Sequence, residues 1–462
     1  MRRQVTKELS QWLADLTLAD VPPEVVERTK LIIADITAIA VRGRNDSEST
    51  PPLVAAFEAL DLANGRFRGI GDARTYSATG ATLLNATCAH SIEMDDTFSP
   101  RGTHTSCNVV PAALASAQIV GASGAQLLLG IIAGLETMCR VGLGRNPETP
   151  RDFHATPTTG AFGAAAAAAK VLGLSAAQTE HAFGIVLSET AGNMQFHLNG
   201  AWTKRFQVGA ASAAGVTAAA LAREDYTGSA EALEGDHGFY TLYAAGHGDP
   251  ERVVAGLGTQ WQILEIAFKP HSSCRGTHAA IDAAIDLRNA HALQFDEIEA
   301  VTIGLPRKPL DLIELLAAPN KLDPQTHVEG QFSINFTVAT GLRLGRVGVD
   351  DYESQFRDPA VRDLMARTDV FEDPEAAMLK PGTAAGSVRV RMKDGSEFHR
   401  VVTLPKGEPE NMISRAEARA KFDYLVAPFL SDASSQALYD LILRLETEPS
   451  VDAYFEAATP GR

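Results

Sequence analysis

The sequence predicts a mostly α-helical protein in which a large all-helical domain is joined to a smaller α/β domain. Helical spacing of apolar residues runs through almost all of the first 265 residues, strand-like alternation starts after about Gly258, and helical spacing returns over residues 413–454. We therefore expect a discontinuous helical domain of residues 1–266 and 407–462, with an α/β domain of residues 267–406 between its two parts.

The helical domain is predicted from amphipathic segments that follow one another along the chain. The first, residues 23–41, opens with Pro-Glu and places apolar residues three and four apart. Ser175 stands three residues before Gln178, which is a capping-box pattern at a helix start. The further helical segments are residues 111–120, 126–141, 160–172, 175–188 and 209–223. Because Ala and Gly are abundant in them, we expect these helices to pack closely as a bundle.

The α/β domain is predicted from a change of period. Residues 297–304, 387–392 and 397–404 alternate apolar and polar side chains, as strands with one buried face do. Asp394-Gly395 lies between the last two, which is typical of a hairpin turn. Helical patterns at residues 276–289 and 330–344 are interleaved with these strands.

The composition is typical of a globular protein with an acidic surface. The 462 residues include 41 Lys and Arg against 57 Asp and Glu, a formal net charge of −16, and 45% of them are hydrophobic. This balance argues against nucleic acid or an anionic membrane as a partner, because both attract basic patches. No run of 18 apolar residues is present, so we expect no membrane span.

The N-terminal region and the cysteines predict a cytoplasmic location. The first residues carry two arginines but no long apolar segment, so no secretory signal is expected. The four cysteines lie far apart without a C-x-x-C pair, which is typical of free thiols in a reducing compartment: Cys88, Cys107, Cys139 and Cys274.

The common cofactor motifs are missing from the sequence. It contains no G-x-x-x-x-G-K-[ST], no G-x-G-x-x-G after a strand, no G-x-S-x-G and no H-E-x-x-H. The nearest metal-like spacing is His90 with Glu93, and it occurs once, whereas a di-iron bundle needs two such motifs and two further Glu. We expect neither a cofactor nor a metal.

The most informative segment is residues 90–111, HSIEMDDTFSPRGTHTSCNVVP. Between two apolar helices it concentrates acids, a hydroxyl, a guanidinium and an imidazole, as a site in a bundle crevice does. The residues concerned are Glu93, Asp95, Asp96, Thr97, Arg101 and His104. The alternative is a solvated loop in which Asp96 or Thr97 only caps a helix.

Three further segments carry candidate residues. Lys204 and Arg205 precede a helix rich in Ala and Gly, although adjacent basic residues are more often a surface pair. His154 precedes another helix of small residues, where its alternative is a structural bond to a backbone carbonyl. Residues 268–278, FKPHSSCRGTH, place four cationic or titratable groups at a helix start, where anions bind well: Lys269, His271, Arg275 and His278.

In this order the four segments resemble the MmgE/PrpD family. The matching motifs are HSIEMDDT with a following His and VVPAALA, FHATPTTGAFGAAAAAAKVLGL, a Lys-Arg before GAA, KPHSSCRGTHAAIDAA and QFSINF. The resemblance extends from about Leu9 to about residue 450. The family includes 2-methylcitrate dehydratases, cis-aconitate decarboxylases and iminodisuccinate epimerases. Membership implies a large helical domain, a smaller α/β lid domain with the site between them, a homodimer, and no metal or organic cofactor.

The resemblance also implies site positions, residue by residue. By motif they are Glu93, Thr97, His104, His154, Lys204, Lys269 and His278. Glu93 stands where the family more often has Asp. Three further departures are Thr105-Ser106 in place of Pro-Gly, Gln207 in place of a frequent His, and Phe336 in place of a frequent Tyr. These departures bear on the reaction more than on the family.

The implied substrates are di- or tricarboxylates. Repulsion from distant charges is screened beyond about 8–10 Å, whereas charge-assisted contacts at about 2.8 Å persist in an acidic protein. Proton abstraction next to a carboxylate also needs cations that stabilise the developing negative charge. The groups that can supply this local field are Arg101, His104, Lys204, Arg205, Lys269, Arg275 and His278.

We therefore predict a cofactor-independent lyase similar to 2-methylcitrate dehydratase. The expected acid and base are His104 and His278, the expected carboxylate-holding groups are Lys204, Lys269 and Arg275, and Glu93 and Thr97 orient them. The expected substrate-binding residues are His154, Arg101, Arg205 and Asp95. The alternatives are an epimerase or isomerase of an amino- or hydroxy-dicarboxylate, a cis-aconitate decarboxylase-like enzyme, a binding protein that has lost the chemistry, and a metal-dependent hydrolase built on His90 and Glu93.

Overall fold

The computed structural model describes residues 3–146, 152–306, 312–376 and 384–461. Its helices in chain order are α1 (Val5–Asp15), α2 (Pro23–Asp46), α3 (Thr50–Ala59), α4 (Ala78–Ala89), α5 (Ser106–Val120), α6 (Gly124–Leu143), α7 (Ala155–Leu172), α8 (Ala176–Glu189), α9 (Phe196–Asn199), α10 (Thr203–Arg223), α11 (Phe239–Tyr243), α12 (Glu251–Val254), α13 (His278–His291), α14 (Leu312–Leu316), α15 (Pro319–Leu322), α16 (His327–Gln331), α17 (Ile334–Leu344), α18 (Asp351–Phe356), α19 (Pro359–Ala366), α20 (Arg415–Val426), α21 (Asp432–Leu443) and α22 (Asp452–Ala458). The strands are β1 (Phe67–Arg68), β2 (Thr75–Tyr76), β3 (Thr97–Phe98), β4 (Ile266–Ala267), β5 (Ile298–Leu305), β6 (Thr368–Glu372), β7 (Gly386–Met392) and β8 (Glu397–Val402). The mostly α fold class with a smaller α/β part is confirmed.

The helical core is built around α7, which packs against α5, α6 and α10. Small residues make this closeness possible. A Cβ on Gly134 of α6 would lie 2.7 Å from the carbonyl oxygen of Gly163 on α7, so the two backbones almost touch. The last three helices, α20–α22, pack back onto this part of the molecule through Phe422, Leu438 and Phe455, which share its buried apolar core.

The smaller α/β part has its own apolar core and a four-stranded sheet in the order β6-β5-β7-β8. The predicted hairpin of β7 and β8 is confirmed as an antiparallel pair, and Gly395 in its turn has φ +87°. The sequence missed β6, which pairs in parallel with β5 at the sheet edge. Exposure of three of its five residues leaves β6 without the apolar run that identifies a buried strand.

Three helices near the centre begin earlier than predicted. The prediction started α5 at Pro111, α7 at Gly160 and α10 at Gly209, whereas they begin at Ser106, Ala155 and Thr203. The cause is clearest at α5, where the Asp96 carboxylate accepts hydrogen bonds from the backbone N–H groups of Thr105 and Ser106 at 3.2 and 3.1 Å. A cap that is supplied ten residues upstream leaves no local start signal.

One described helix, α6, is long and apolar enough to cross a membrane by length and composition. Within the most apolar window of this helix, 83% of the residues are buried inside the protein. Its apolar surface therefore already faces other parts of the chain, as in a core helix.

Candidate active site

A cavity of about 230 Å³ opens beside the N-terminal ends of α7 and α10. Its walls come from the loop between α4 and α5, from the segment between β4 and α13, and from α14. Seven of the eleven residues that the sequence predicted for the site line it: Glu93, Thr97, Arg101, His104, His154, Lys204 and Arg275. The other four, Asp95, Arg205, Lys269 and His278, are buried away from its surface.

The loop between α4 and α5 is held in one conformation by hydrogen bonds at both ends. Asp96 caps α5 as described above, and it also binds the hydroxyls of Thr105 and Ser106. Thr97 in β3 pairs with Ala267 in β4, which brings the following segment with Lys269 and Arg275 against the loop. Glu93 has φ +53°, a left-handed conformation that is strained for a glutamate and is typical of functional sites.

His104 is oriented by the loop itself. Its Nδ1–H donates to the carbonyl oxygen of Asp96 at 2.9 Å, and the same nitrogen lies 3.3 Å from Asp95 Oδ2. Nε2 is therefore the nitrogen that carries the lone pair. Because 12% of the side chain is exposed and His104 lines the cavity, this nitrogen is available as a base.

Behind His104 lies a buried chain of charged and polar groups. Asp95 accepts a hydrogen bond from His90 Nδ1–H at 2.7 Å, and His90 Nε2 accepts one from Lys204 Nζ at 2.9 Å. Lys204 also donates to Glu93, whose other oxygen accepts from Lys269 Nζ at 3.2 Å. One carboxylate thus bridges two lysines at the cavity wall.

Burial sets the protonation of this chain. Burial lowers the pKa of Lys204 well below its usual range, and the nearby Lys269 ammonium lowers it further. Burial also lowers the pKa of Lys269, and it lowers the pKa of His90 well below 6.5, which keeps His90 neutral. Although burial alone would raise it, the pKa of Asp95 is held well below its usual value by the imidazoles of His90 and His104. A lysine of lowered pKa in a cavity wall can give up its proton during a reaction.

Two arginines bring positive charge to the rim of the cavity. Arg101 and Arg145 both line it, and the Arg101 guanidinium is held by the carbonyl oxygens of Pro100 and Leu143 at 2.7 and 2.9 Å. Burial, together with the neighbouring guanidiniums of Arg252 and Arg145, lowers the pKa of Arg101. Clustered guanidiniums of this kind are suited to carboxylates.

The other two predicted arginines have partners elsewhere. Arg205 donates to Ser47, Glu48 and Ser49, at distances of 2.9–3.1 Å. Arg275 reaches the cavity wall, yet its Nε and Nη2 donate to Glu408 at 3.0 and 2.5 Å. This buried pair joins the start of α13 to the chain that returns to the helical domain.

His278 has both ring nitrogens engaged inside the protein. Nδ1 accepts from Arg275 Nη1 at 3.2 Å, and Nε2–H donates to the carbonyl oxygen of Ser273 at 3.3 Å. Burial lowers the pKa of His278 well below 6.5, and the positive charge of Arg275 lowers it further. The acid/base role that the sequence assigned to His278 remains a prediction, and in this conformation the residue does not face the cavity.

His154 is held by the residue that departs from the family pattern. Its Nδ1–H donates to Gln207 Oε1 at 3.0 Å, and Gln207 Nε2 donates to the carbonyl oxygen of Asn193 at 3.1 Å. Burial lowers the pKa of His154 to about 3. Phe336, another departure from the family pattern, is buried against Tyr352 and Phe356 and does not line the cavity.

Several cavity residues were missed by sequence reasoning. Cys274 lines the cavity and is only partly buried, whereas the other three cysteines are buried. Thr97, which the sequence did predict, has a buried Oγ1 with no hydrogen-bond partner among the described residues. An apolar wall faces these groups: Phe153, Phe196, Leu312, Leu315 and Phe332. Aromatic and aliphatic residues in a sequence resemble ordinary core residues, so no local signal identifies this wall.

His90, Asp95 and Cys107 place ligand atoms within 4.8 Å of one another, which is a metal-like group. Their donors are already used, since both His90 nitrogens are hydrogen-bonded and a Lys204 ammonium lies 2.9 Å from Nε2. Burial raises the pKa of the Cys107 thiol well above its usual value, which keeps the proton on sulfur. These residues therefore fit a hydrogen-bonded network better than a metal centre.

Comparison with known proteins gives matches along nearly the whole chain. Residues 7–251 match the family model described as MmgE/PrpD N-terminal domain, and residues 271–447 match the MmgE/PrpD C-terminal domain. A cis-aconitate decarboxylase-like protein, oryM, of Aspergillus oryzae is 30% identical over 97% of this chain and 95% of its own length. Cis-aconitate decarboxylases of Aspergillus terreus and Homo sapiens are 26% and 25% identical, over 98% and 96% of this chain and 95% and 92% of their own lengths.

Proposed function

The chain belongs to the MmgE/PrpD family, and from this premise we propose that it is a cofactor-independent lyase that acts on a small polycarboxylate by proton transfer at carbon. The observation that carries the proposal is His104, whose Nδ1 is fixed by Asp96 and Asp95 and whose Nε2 has no hydrogen-bond partner among the described residues. A base so oriented, with lysines behind it, suits chemistry in which negative charge develops next to a carboxylate.

The carboxylates of the substrate have candidate binding groups on two sides. Arg101 and Arg145 provide guanidiniums at the rim, and Lys204 provides an ammonium deeper in the cavity. The Thr97 hydroxyl can donate a further hydrogen bond. We expect these groups to hold two charged ends of a short molecule in the cavity that His104 also lines.

Decarboxylation is the reaction that the relatives favour, since the proteins named above are cis-aconitate decarboxylases or similar to them. In such a step the bond from carbon to the leaving carboxylate breaks, its electron pair moves through the double bond, and the far carbon takes a proton. CO₂ and an unsaturated dicarboxylate result. The apolar wall around Phe332, Leu312 and Leu315 suits a carboxylate that loses its charge as it leaves.

Dehydration is the second candidate, and the neutral His154 favours it. In this reaction His104 removes the proton next to a carboxylate, the carbon–oxygen bond breaks, and an acid such as Lys204 protonates the departing hydroxide. An imidazole that only accepts hydrogen bonds suits a substrate hydroxyl better than another carboxylate.

The test is proton NMR in D₂O on purified, chelator-treated protein with cis-aconitate, citrate, 2-methylcitrate and iminodisuccinate. A lyase produces a new vinylic signal or, from cis-aconitate, an unsaturated dicarboxylate with loss of CO₂. Deuterium in recovered substrate and its epimer without an alkene would replace the lyase by an epimerase. Loss of turnover on chelation, restored by added metal, would contradict the proposed independence of cofactors.

A further inference from the structure

Gln207 forms a hydrogen-bonded pair with His154, which lines the cavity. Gln207 lies on the first turns of α10, and His154 directly precedes α7. The Gln207 amide is oriented by its far side, because Nε2 donates to the carbonyl oxygen of Asn193 at 3.1 Å. Its Oε1 must then face His154, which lies 3.0 Å away through Nδ1. An amide oxygen can only accept, so the proton of a neutral His154 is fixed on Nδ1.

The fixed tautomer determines what His154 can bind. Nδ1 is occupied by Gln207, which leaves Nε2, with its lone pair, for a molecule in the cavity that His154 lines. Because burial lowers the pKa of His154 to about 3, the ring stays neutral at physiological pH. Nε2 therefore accepts a hydrogen bond and does not donate one.

The group opposite His154 must then be a hydrogen-bond donor. A carboxylate only accepts, and two facing lone pairs leave both groups unsatisfied. The cavity offers carboxylates better partners in Arg101, Arg145 and Lys204. A hydroxyl fits His154, because it donates its hydrogen to Nε2 and keeps its oxygen lone pairs for a proton from an acid.

We infer that Gln207 is a specificity-determining residue that sets His154 to receive a hydroxyl, so that the substrate class is a hydroxy-polycarboxylate. The inference rests on the proposed function and deepens its second candidate, dehydration, because cis-aconitate carries no hydroxyl. A histidine at position 207 could donate or accept and would leave the tautomer of His154 open. Because the Gln207 amide is hydrogen-bonded to Asn193, its oxygen faces His154 and fixes the proton of His154 on Nδ1.

The tautomer is tested by long-range ¹H–¹⁵N correlation spectra of histidine-labelled protein, with the His154 signals identified by their loss in His154→Phe. We expect an Nδ1–H tautomer that persists at pH 6. In Gln207→Leu the preference for Nδ1–H should weaken, and in Gln207→Glu the ring should become doubly protonated, because a carboxylate stabilises imidazolium. An Nε2–H tautomer in the unmodified protein would overturn the inference.

The substrate class is tested by calorimetric binding of citrate and tricarballylate, which differ only in the hydroxyl. We expect citrate to bind about five- to tenfold more tightly, the contribution of one hydrogen bond. Gln207→Glu should abolish or reverse this preference, because an imidazolium donates to carboxylates. Gln195→Glu adds the same charge on the exposed side of the neighbouring loop and should leave the preference unchanged.

The outcomes separate the two proposals. Equal affinity for both ligands in the unmodified protein would overturn the hydroxyl assignment and leave the polycarboxylate lyase standing. Failure of both ligands to bind would overturn the proposed function and the substrate class together, while the nitrogen spectra would still decide the role of Gln207.

Discussion

At the scale of single residues, the two histidines that the sequence ranked equally have different surroundings. His104, which lines the cavity, uses one nitrogen for Asp96 and has no partner for the other in the described parts of the chain, whereas His278 uses both nitrogens for Arg275 and Ser273. An acid or base must reach the substrate, so geometry separates the two residues although their residue type does not.

Replacement of each histidine by Ala should therefore give different losses. His104→Ala is expected to lower kcat/KM about 10²-fold or more with little change in Tm, because it removes the oriented base. His278→Ala is expected to lower kcat/KM less than tenfold and to destabilise the fold by about 1–3 kcal/mol, because Arg275 loses a buried partner. Turnover measurements and thermal unfolding check this, with His237→Ala in an exposed loop as the control.

A 10²-fold loss in His278→Ala with unchanged Tm would contradict this assignment. It would return His278 to the acid/base role that the sequence predicted. Near-normal turnover in His104→Ala would show that His104 is not the base of the reaction.

At the scale of elements, the helical core depends on close approach between helices of small residues. A Cβ on Gly215 of α10 would lie 2.5 Å from the Cβ of Ala164 and 2.6 Å from the backbone nitrogen of Ala165 on α7. Both atoms belong to a buried helix and cannot move aside like the end of a long side chain. The N-terminal turn of the same α10 carries Lys204, so this contact also positions the site.

Gly215→Ala should therefore destabilise the protein by about 1–3 kcal/mol despite the higher helix propensity of alanine. Gly341→Ala in α17 is the matched control, since its nearest neighbour beyond the helix is 3.6 Å away. We expect that control to be neutral or to stabilise by up to about 1 kcal/mol. Thermal or urea unfolding measures both, and equal stability of the two variants would show that α7 and α10 are not in close contact.

At the scale of the whole molecule, several buried histidines make stability depend on pH. Burial lowers the pKa of His154 to about 3 and the pKa values of His90 and His278 well below 6.5. On unfolding they return to about 6.5, so below that pH the unfolded chain binds more protons than the folded one. The contribution of these histidines to the free energy of unfolding is therefore fully present above pH 6.5. It is lost as the pH drops towards their folded-state pKa values.

The expected slope is about 1.4 kcal/mol per pH unit for each histidine. Asp35 opposes it, because burial raises its pKa to about 6 and the folded state binds that proton more tightly between about pH 4 and 6. Glu136 and Glu189 oppose it as well, because burial raises the pKa values of both carboxyls. The three histidines lower the stability over the whole range from pH 6.5 to 4.5, so we expect Tm to fall there. Thermal unfolding across this range checks the prediction, and a constant or rising Tm would contradict it; His154→Phe should flatten the slope, and His237→Ala should not.

The sequence by itself determined those features that depend on neighbouring residues. The period of the apolar residues predicted most helices and the β7–β8 hairpin, and ordered motifs predicted the family and five of the residues that line the cavity. Residue type and charge predicted two more, Arg101 and Arg275. Helix starts at α5 and α10 were wrong by about five residues, since the cap at α5 comes from Asp96, outside any local pattern.

Only the tertiary structure decided which charged groups face the cavity. Glu93 meets Lys204 from 111 residues away, and Arg275 meets Glu408 from 133 residues away. No spacing within one segment encodes such pairs, because they depend on how segments far apart in the chain pack against each other. These distant pairings left Arg275 bound to Glu408, placed His278 inside the protein and fixed His154 through Gln207, and so they determine the chemistry that the motif residues can perform.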